Sequence, residues 1–198
     1  MDYYYLYSSL LFWTNICVLF KDFRIDVCSL IHSLFTGIGS HIVYENDPNL
    51  PYFALGYSLY DIYTAVKNNK KDFIIHGILY ASLFFYAINR NLFSACNMAL
   101  TMNTSTIFLN NLYIQKMYRY DIHYPRLFKL SSLLFVLVFI YYRLILFPMN
   151  SYNYFKFNYD YLDDISWYVL LTGSISITIL NLWWVLFIIK KYLSLIYN

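Results

Sequence analysis

Charge is scarce in this chain of 198 residues: Asp, Glu, Lys and Arg supply 13% of it, about half the usual share of soluble domains. A soluble domain of this size leaves much of its area facing water and could not hide so apolar a composition, so a soluble enzyme is excluded first. Cysteine is scarce too. Cys17, Cys28 and Cys96 are odd in number and set in apolar surroundings, which implies no disulfide framework. The net charge of +3 is too small to predict a nucleic-acid partner. Also missing are a Gly-rich phosphate loop, a GxSxG elbow, an HExxH helix and any Cys/His metal spacing, so neither a metal nor a bound cofactor is expected. There is no internal repeat, heptad seam or low-complexity linker. Finally, Gly, Ala, Arg and Pro account for only 20 residues against 93 for Phe, Tyr, Met, Ile, Asn and Lys. This codon bias points to an AT-rich genome, such as that of a protist or a large DNA virus, and inflates Tyr, Ile and Asn without chemical cause.

What is there is apolar. Apolar residues make up 60% of the chain and aromatic ones 23%, and the mean hydropathy is +0.46; a disordered chain has the opposite composition. A bilayer core about 30 Å thick requires about 20 apolar residues per helix. Seven segments meet or approach that length: Tyr3–Phe20, Val27–Tyr44, Pro51–Val66, Phe73–Ile88, Leu92–Tyr113, Leu130–Phe147 and Ile165–Ile189. The third and fourth are short, and the fifth is the most polar. The distribution of basic residues argues for all seven. If each segment crosses, Lys21, Arg24, Lys67, Lys70, Lys71, Lys116, Arg119, Arg126, Lys129, Lys190 and Lys191 share one side, against Arg90 and Lys156 on the other. Lys and Arg collect in cytoplasmic loops, so the expected N-terminus is lumenal and the C-terminus cytosolic. The first segment lacks a basic start and a small-residue cleavage site, unlike a signal peptide, and Tyr3, Tyr4, Tyr5 and Tyr7 read as an interfacial belt. Pro48, Pro51 and Pro148 are expected at helix ends. The predicted fold is an all-α polytopic membrane bundle. It divides into residues 1–24 (first helix and first cytosolic loop), 25–192 (a six-helix membrane domain) and 193–198 (a short cytosolic tail).

Ionisable groups at bilayer depth are costly and by default face a bundle interior or a wet cavity. His32, Asp61, His76 and Arg143 are such groups, joined by the amides Asn103, Asn110 and Asn181. At 1.5 Å per residue, His32, Asp61 and His76 share one level below the cytosolic surface, with Asn110 close to it. A histidine beside a carboxylate is a workable general base. Plainer readings stand beside that one. His32 could be a packing histidine, Asp61 and His76 interhelical glue, and Arg143, five residues before Pro148, could snorkel to the lumenal interface. His41 reads as interfacial, and Trp183 and Trp184 as lipid-facing or packing. Asn103-Thr104-Ser105 is a formal glycosylation sequon but lies mid-helix, out of reach.

The motif order resembles the TLC-domain family, which includes ceramide synthases, translocating-chain-associated membrane proteins and small TLC-domain proteins. The matching stretches are Ser29–His32, Gly56–Asp61, Asp72–His76, Asn103–Asn110, Phe139–Arg143 followed by Pro148, and Asn181–Trp184. The resemblance implies helices surrounding a lipid-sized cavity. It departs from the synthase branch, whose fourth helix carries a His-His pair: here His76 is followed by Gly77. Asn103 stands where the small-protein branch often has Glu. The expected function is binding or sensing of an acyl-containing membrane lipid, with an influence on membrane lipid composition. His32, Asp61, His76, Asn103, Asn110, Arg143 and Asn181 would contact the lipid. The alternative is an acyl-CoA-dependent N-acyltransferase, with acyl-CoA as co-substrate, His76 as base and Asp61 orienting it. A channel ranks third: Arg143, expected near the opposite face from Asp61 and His76, would permit a polar path, but no repeat symmetry or broken helix is visible.

Overall fold

Short turns fix which helices can lie side by side. The computed structural model describes residues 3–19, 24–42 and 46–197, and no strand occurs among them. Helix α1 is Tyr3–Leu19, α2 covers residues 24–42, α3 is Asn49–Lys67 and α4 is Lys71–Asn89. Helices α5 (Phe93–Leu100), α6 (Asn103–Met117) and α7 (Tyr120–His123) follow, then α8 (Pro125–Phe157) and α9 (Asp164–Tyr197). The chain is an all-α membrane bundle. Helix underlies each of the seven expected segments, the fifth being divided by a turn at Thr101 and Met102. Phe20, Lys21 and Tyr44 lie outside the described residues, as do the side chains of Tyr3, Cys17 and Arg24. Lys71–Asn89, Pro125–Phe157 and Asp164–Leu195 are each long and apolar enough to cross a bilayer, and Val27–Ile42 is a shorter apolar helix. Lipid-facing surface is visible as exposed apolar stripes: Leu127, Leu130, Leu134 and Leu137 on α8, and Ile175, Ile179, Leu182 and Leu186 on α9. On a water-soluble protein such stripes would mark an interface.

Two turns are built alike. At the end of α3, Asn69 takes φ 56°, the Lys70 N–H reaches the Ala65 carbonyl at 2.9 Å and the Asn69 N–H reaches Val66 at 3.1 Å. At the end of α4, Asn91 takes φ 57°, with Leu92 bonded to Ala87 at 2.8 Å and Asn91 to Ile88 at 3.0 Å. This is the Schellman closure, in which asparagine substitutes for the usual glycine at the left-handed position. So tight a reversal makes α3 and α4 antiparallel. It places the last turns of α3, with Asp61, beside the first turns of α4, with His76.

Helix α9 runs antiparallel to α4. The Tyr86 and Ser166 hydroxyls meet at 3.0 Å near one end, and the His76 and Trp184 rings lie 4.9 Å apart toward the other. Helix α8 is antiparallel to α9, with Phe135 and Phe139 packed against Val185. These pairings gather Lys67, Lys70, Lys71, Lys116, Arg119, Arg126, Lys190 and Lys191 at one end of the bundle. Arg90 and Lys156 stand at the other, where Arg90 pairs with Asp163 at 3.0 Å.

Three helices depart from regular geometry, and each departure corrects an expectation. The fifth segment is not one helix. It breaks between α5 and α6, where Thr101, Met102, Thr104 and Ser105 each donate to the carbonyl three residues back. The Thr101 hydroxyl bonds the Met98 carbonyl at 2.7 Å and the Ser105 hydroxyl bonds Met102 at 2.8 Å. Hydroxyls that compete for backbone carbonyls in this way loosen a helix. The sixth segment is longer than its apolar run. Pro148 lies inside continuous helix rather than at an end, just after a π-helical stretch, Ile140–Leu146. Proline has no N–H and crowds the carbonyl four residues back, and a widened turn relieves both demands. A second π-helical stretch, Leu34–Ile38, interrupts α2. The absence of broken helices expected from sequence therefore does not hold.

Candidate functional site

The irregular helices converge on a cavity of about 380 Å³ (volume open to water) in the middle of the bundle. His32 (α2), Asp61 (α3), His76 (α4), Asn103 and Asn110 (α6) and Arg143 (α8) all line it. Six of the seven residues singled out from sequence thus meet in one chamber. The seventh, Asn181, stands behind Arg143 instead, with its side-chain oxygen accepting from Nη1 at 3.1 Å. Depth explains the convergence. His32, Asp61, His76 and Asn110 lie five to eight residues from the basic-side ends of their helices, or about 7–12 Å along the axis. Asn103 sits deeper, at the break.

One wall is joined by side-chain hydrogen bonds. The Asn103 amide donates to the Thr36 hydroxyl at 2.9 Å, and that hydroxyl donates to the His32 carbonyl at 2.7 Å. The Asn110 amide reaches the Ser29 and Ser33 hydroxyls at 3.1 and 3.4 Å. Close approach is possible because Gly37 has no side chain: a Cβ there would stand 2.7 Å from the Thr104 backbone nitrogen. The sequon asparagine is thus buried at this seam and closed to modification.

The other wall keeps bare atoms. The His32 ring stacks on Tyr57, with centroids 3.8 Å apart, and its Nε2 has no hydrogen-bond partner. Nδ1 of His76 is likewise buried and unpartnered, while its ring packs against Tyr80 at 5.0 Å and Trp184 at 4.9 Å. Gly77 lets α4 settle on α3, since a Cβ there would lie 2.7 Å from the Ile62 side chain. No hydrogen bond or ion pair joins Asp61 to His76; the cation that interacts electrostatically with Asp61 is Lys70, at the mouth. The arrangement supplies a histidine without an orienting carboxylate.

Arg143 is where the structure departs furthest from the snorkelling reading. The side chain is 7% exposed and turns inward, so it shares the chamber with His76 and Asp61 rather than lying near the opposite face. Nε donates to the Ser105 hydroxyl at 2.8 Å and Nη2 to the Thr106 hydroxyl at 3.0 Å. The guanidinium lies 5.0 Å from the Phe139 ring centre and 5.7 Å from that of Trp184, within cation–π range. The long extension of α8 beyond Phe147 removes the nearby helix end toward which it could have snorkelled.

Several lining residues escaped the sequence reading: Tyr57, Lys70, Tyr80, Thr106 and Trp184. Spacing offered a signal for two of them. Tyr57 lies four residues before Asp61 and Trp184 three after Asn181, the intervals that share a helix face. Trp183, by contrast, is 54% exposed, as expected for a lipid-facing residue. His41 is exposed near the Thr104 hydroxyl, at 3.4 Å, and lies outside the cavity lining. Cys28 and Cys96 are buried and outside any disulfide, and no group of metal-ligating side chains occurs among the described residues.

The family model for the TLC domain matches residues 3–190. No curated protein and no solved structure matches the chain. The match takes in α1 through α8 and most of α9, and with the helical membrane bundle it supports one conclusion: the chain belongs to the TLC-domain family.

Proposed function

We propose that this integral membrane protein binds or senses an acyl-containing lipid and so influences membrane lipid composition. Its N-terminus would be lumenal and its C-terminus cytosolic, in a membrane of the endoplasmic-reticulum type or a host membrane. The supporting observation is the chamber itself. A cavity lined by His32, Asp61, His76 and Arg143 opens inside helices whose outer faces are apolar. Polar groups at such depth stand there at a cost unless something uses them. The head group would sit among these side chains near the cytosolic leaflet while acyl chain lies along apolar helix faces. The family resemblance agrees with lipid handling, and the gathered Lys and Arg favour a cytosolic mouth. The acyltransferase alternative finds less support, because His76 has neither a second histidine beside it nor a carboxylate to fix its tautomer.

The test is mass spectrometry of the lipid retained after gentle detergent purification. Replacing both His76→Ala and Asp61→Asn should lower the retained lipid several-fold while membrane insertion and yield persist. An unchanged lipid load in the double variant would show that these residues do not form the site.

A further inference from the structure

The charge of Arg143 is unanswered by the protein. Guanidinium carries five N–H donors, and three of them go to neutral acceptors: the Ser105 and Thr106 hydroxyls and the Asn181 amide oxygen. Two N–H groups remain, one on each terminal nitrogen. The aromatic faces of Phe139 and Trp184 ease the burial of the cation but bring no negative charge. The ion pair formed among the described residues is Arg90 with Asp163, far from the chamber. Asp61, the acid of the cavity lining, interacts with Lys70, whereas the titratable groups that interact electrostatically with Arg143 are Tyr80 and His76. A buried cation lacking a counter-charge is strongly unfavourable, and Asn181 and the two hydroxyls hold its fork in place all the same.

From this geometry we infer that the ligand supplies the missing charge: an oxyanion, carboxylate or phosphate, seats on the two free N–H groups of Arg143, with the bare Nδ1 of His76 beside it. This deepens the lipid-binding proposal and rests on it, by naming the head group as anionic. Guanidinium offers two parallel donors to such a group, an arrangement both stronger and more selective than one to a neutral carbonyl. The chamber, about 380 Å³, equals the share of about a dozen waters at about 30 Å³ each. That room suits a head group and the first part of one chain.

The experiment uses the full chain in a neutral detergent at pH 7.4, reading the shift in melting midpoint during titration with chain-matched probes. Oleate and oleoyl lysophosphatidate carry the anion, monoolein and oleamide the same chain without charge, and acetate and inorganic phosphate the anion without a chain. One or both anionic lipids are expected to bind at least about tenfold more tightly than the neutral pair, a gap of about 1.4 kcal/mol. Arg143→Gln should erase that preference, and Arg143→Lys, which keeps the charge but loses the fork, should reduce it. The probe series on wild-type protein decides the matter even where Arg143→Gln fails to fold. Equal binding of oleate, lysophosphatidate and monoolein would overturn the anionic assignment while leaving lipid binding intact. Acetate or phosphate acting as strongly as the chain-bearing anions would support the anion seat and overturn the lipid. Binding of none of the six would overturn both.

Discussion

The two walls of the chamber are built from polar residues in opposite ways. Along the α2–α6 seam each side-chain amide finds a hydroxyl: Asn103 with Thr36, Asn110 with Ser29 and Ser33. Elsewhere in the lining His32 and His76 keep nitrogens without partners, and Arg143 keeps its charge. The seam is a joint, since neutral groups that satisfy one another within a bilayer hold helices together and ask nothing of a ligand. That other part of the lining, incomplete on its own, is where a ligand belongs. Polarity at bilayer depth is therefore a poor guide to function until each donor and acceptor has been paired.

That contrast can be attacked in order of expected effect. The largest effect should come from Gly37→Ala, whose new methyl meets the Thr104 backbone. Overpacking of that kind costs about 1–3 kcal/mol, read as a lower melting midpoint in detergent with retained-lipid selectivity unaltered. A change in lipid selectivity as well would show that the seam is part of the binding site. Next, a double-mutant cycle on Thr36→Val and Asn103→Ala should give a coupling of about 0.6–1.7 kcal/mol, again without altering lipid preference. Zero coupling would deny the joint its role.

The smallest effect lies outside both walls. Asp163 caps α9 by accepting from the Ser166 N–H at 2.8 Å and pairs with Arg90 at 3.0 Å. The Ser166 hydrogen bonds foremost, then Arg90, hold its carboxyl below the ordinary carboxylate range. A carboxyl depressed in the folded state stabilises above its unfolded value, about 3.9, and that contribution is lost as pH falls through the folded value. Asp163→Asn should therefore melt slightly below wild type at pH 7, with the gap narrowing as pH falls through the acidic range. A gap that does not narrow would assign the effect to something other than the charge.

Much of the site was legible because rare residues are conspicuous: four ionisable groups within apolar runs marked four helices, and counting from their ends gave a shared depth for three of them. Arg143 was misplaced for a definite reason. Its apolar run stops at Phe147, but α8 continues through Pro148 to Phe157 on a π-widened turn, and hydropathy carries no record of such a turn. Trp184 and Tyr57 were passed over because aromatic residues are abundant here, and only the helix face they share with Asn181 and Asp61 separates them from the rest.

The sequence by itself determined that this is an all-helical membrane protein, where its apolar runs fall and how its basic residues sort between the two ends. Those are properties of local runs, set by what a segment of given length and polarity can do in a bilayer. Only the tertiary structure decided which polar atoms are spent on one another and which are left facing a cavity. Pairing depends on helix rotation, a glycine contact and two widened turns acting together across residues far apart in the chain.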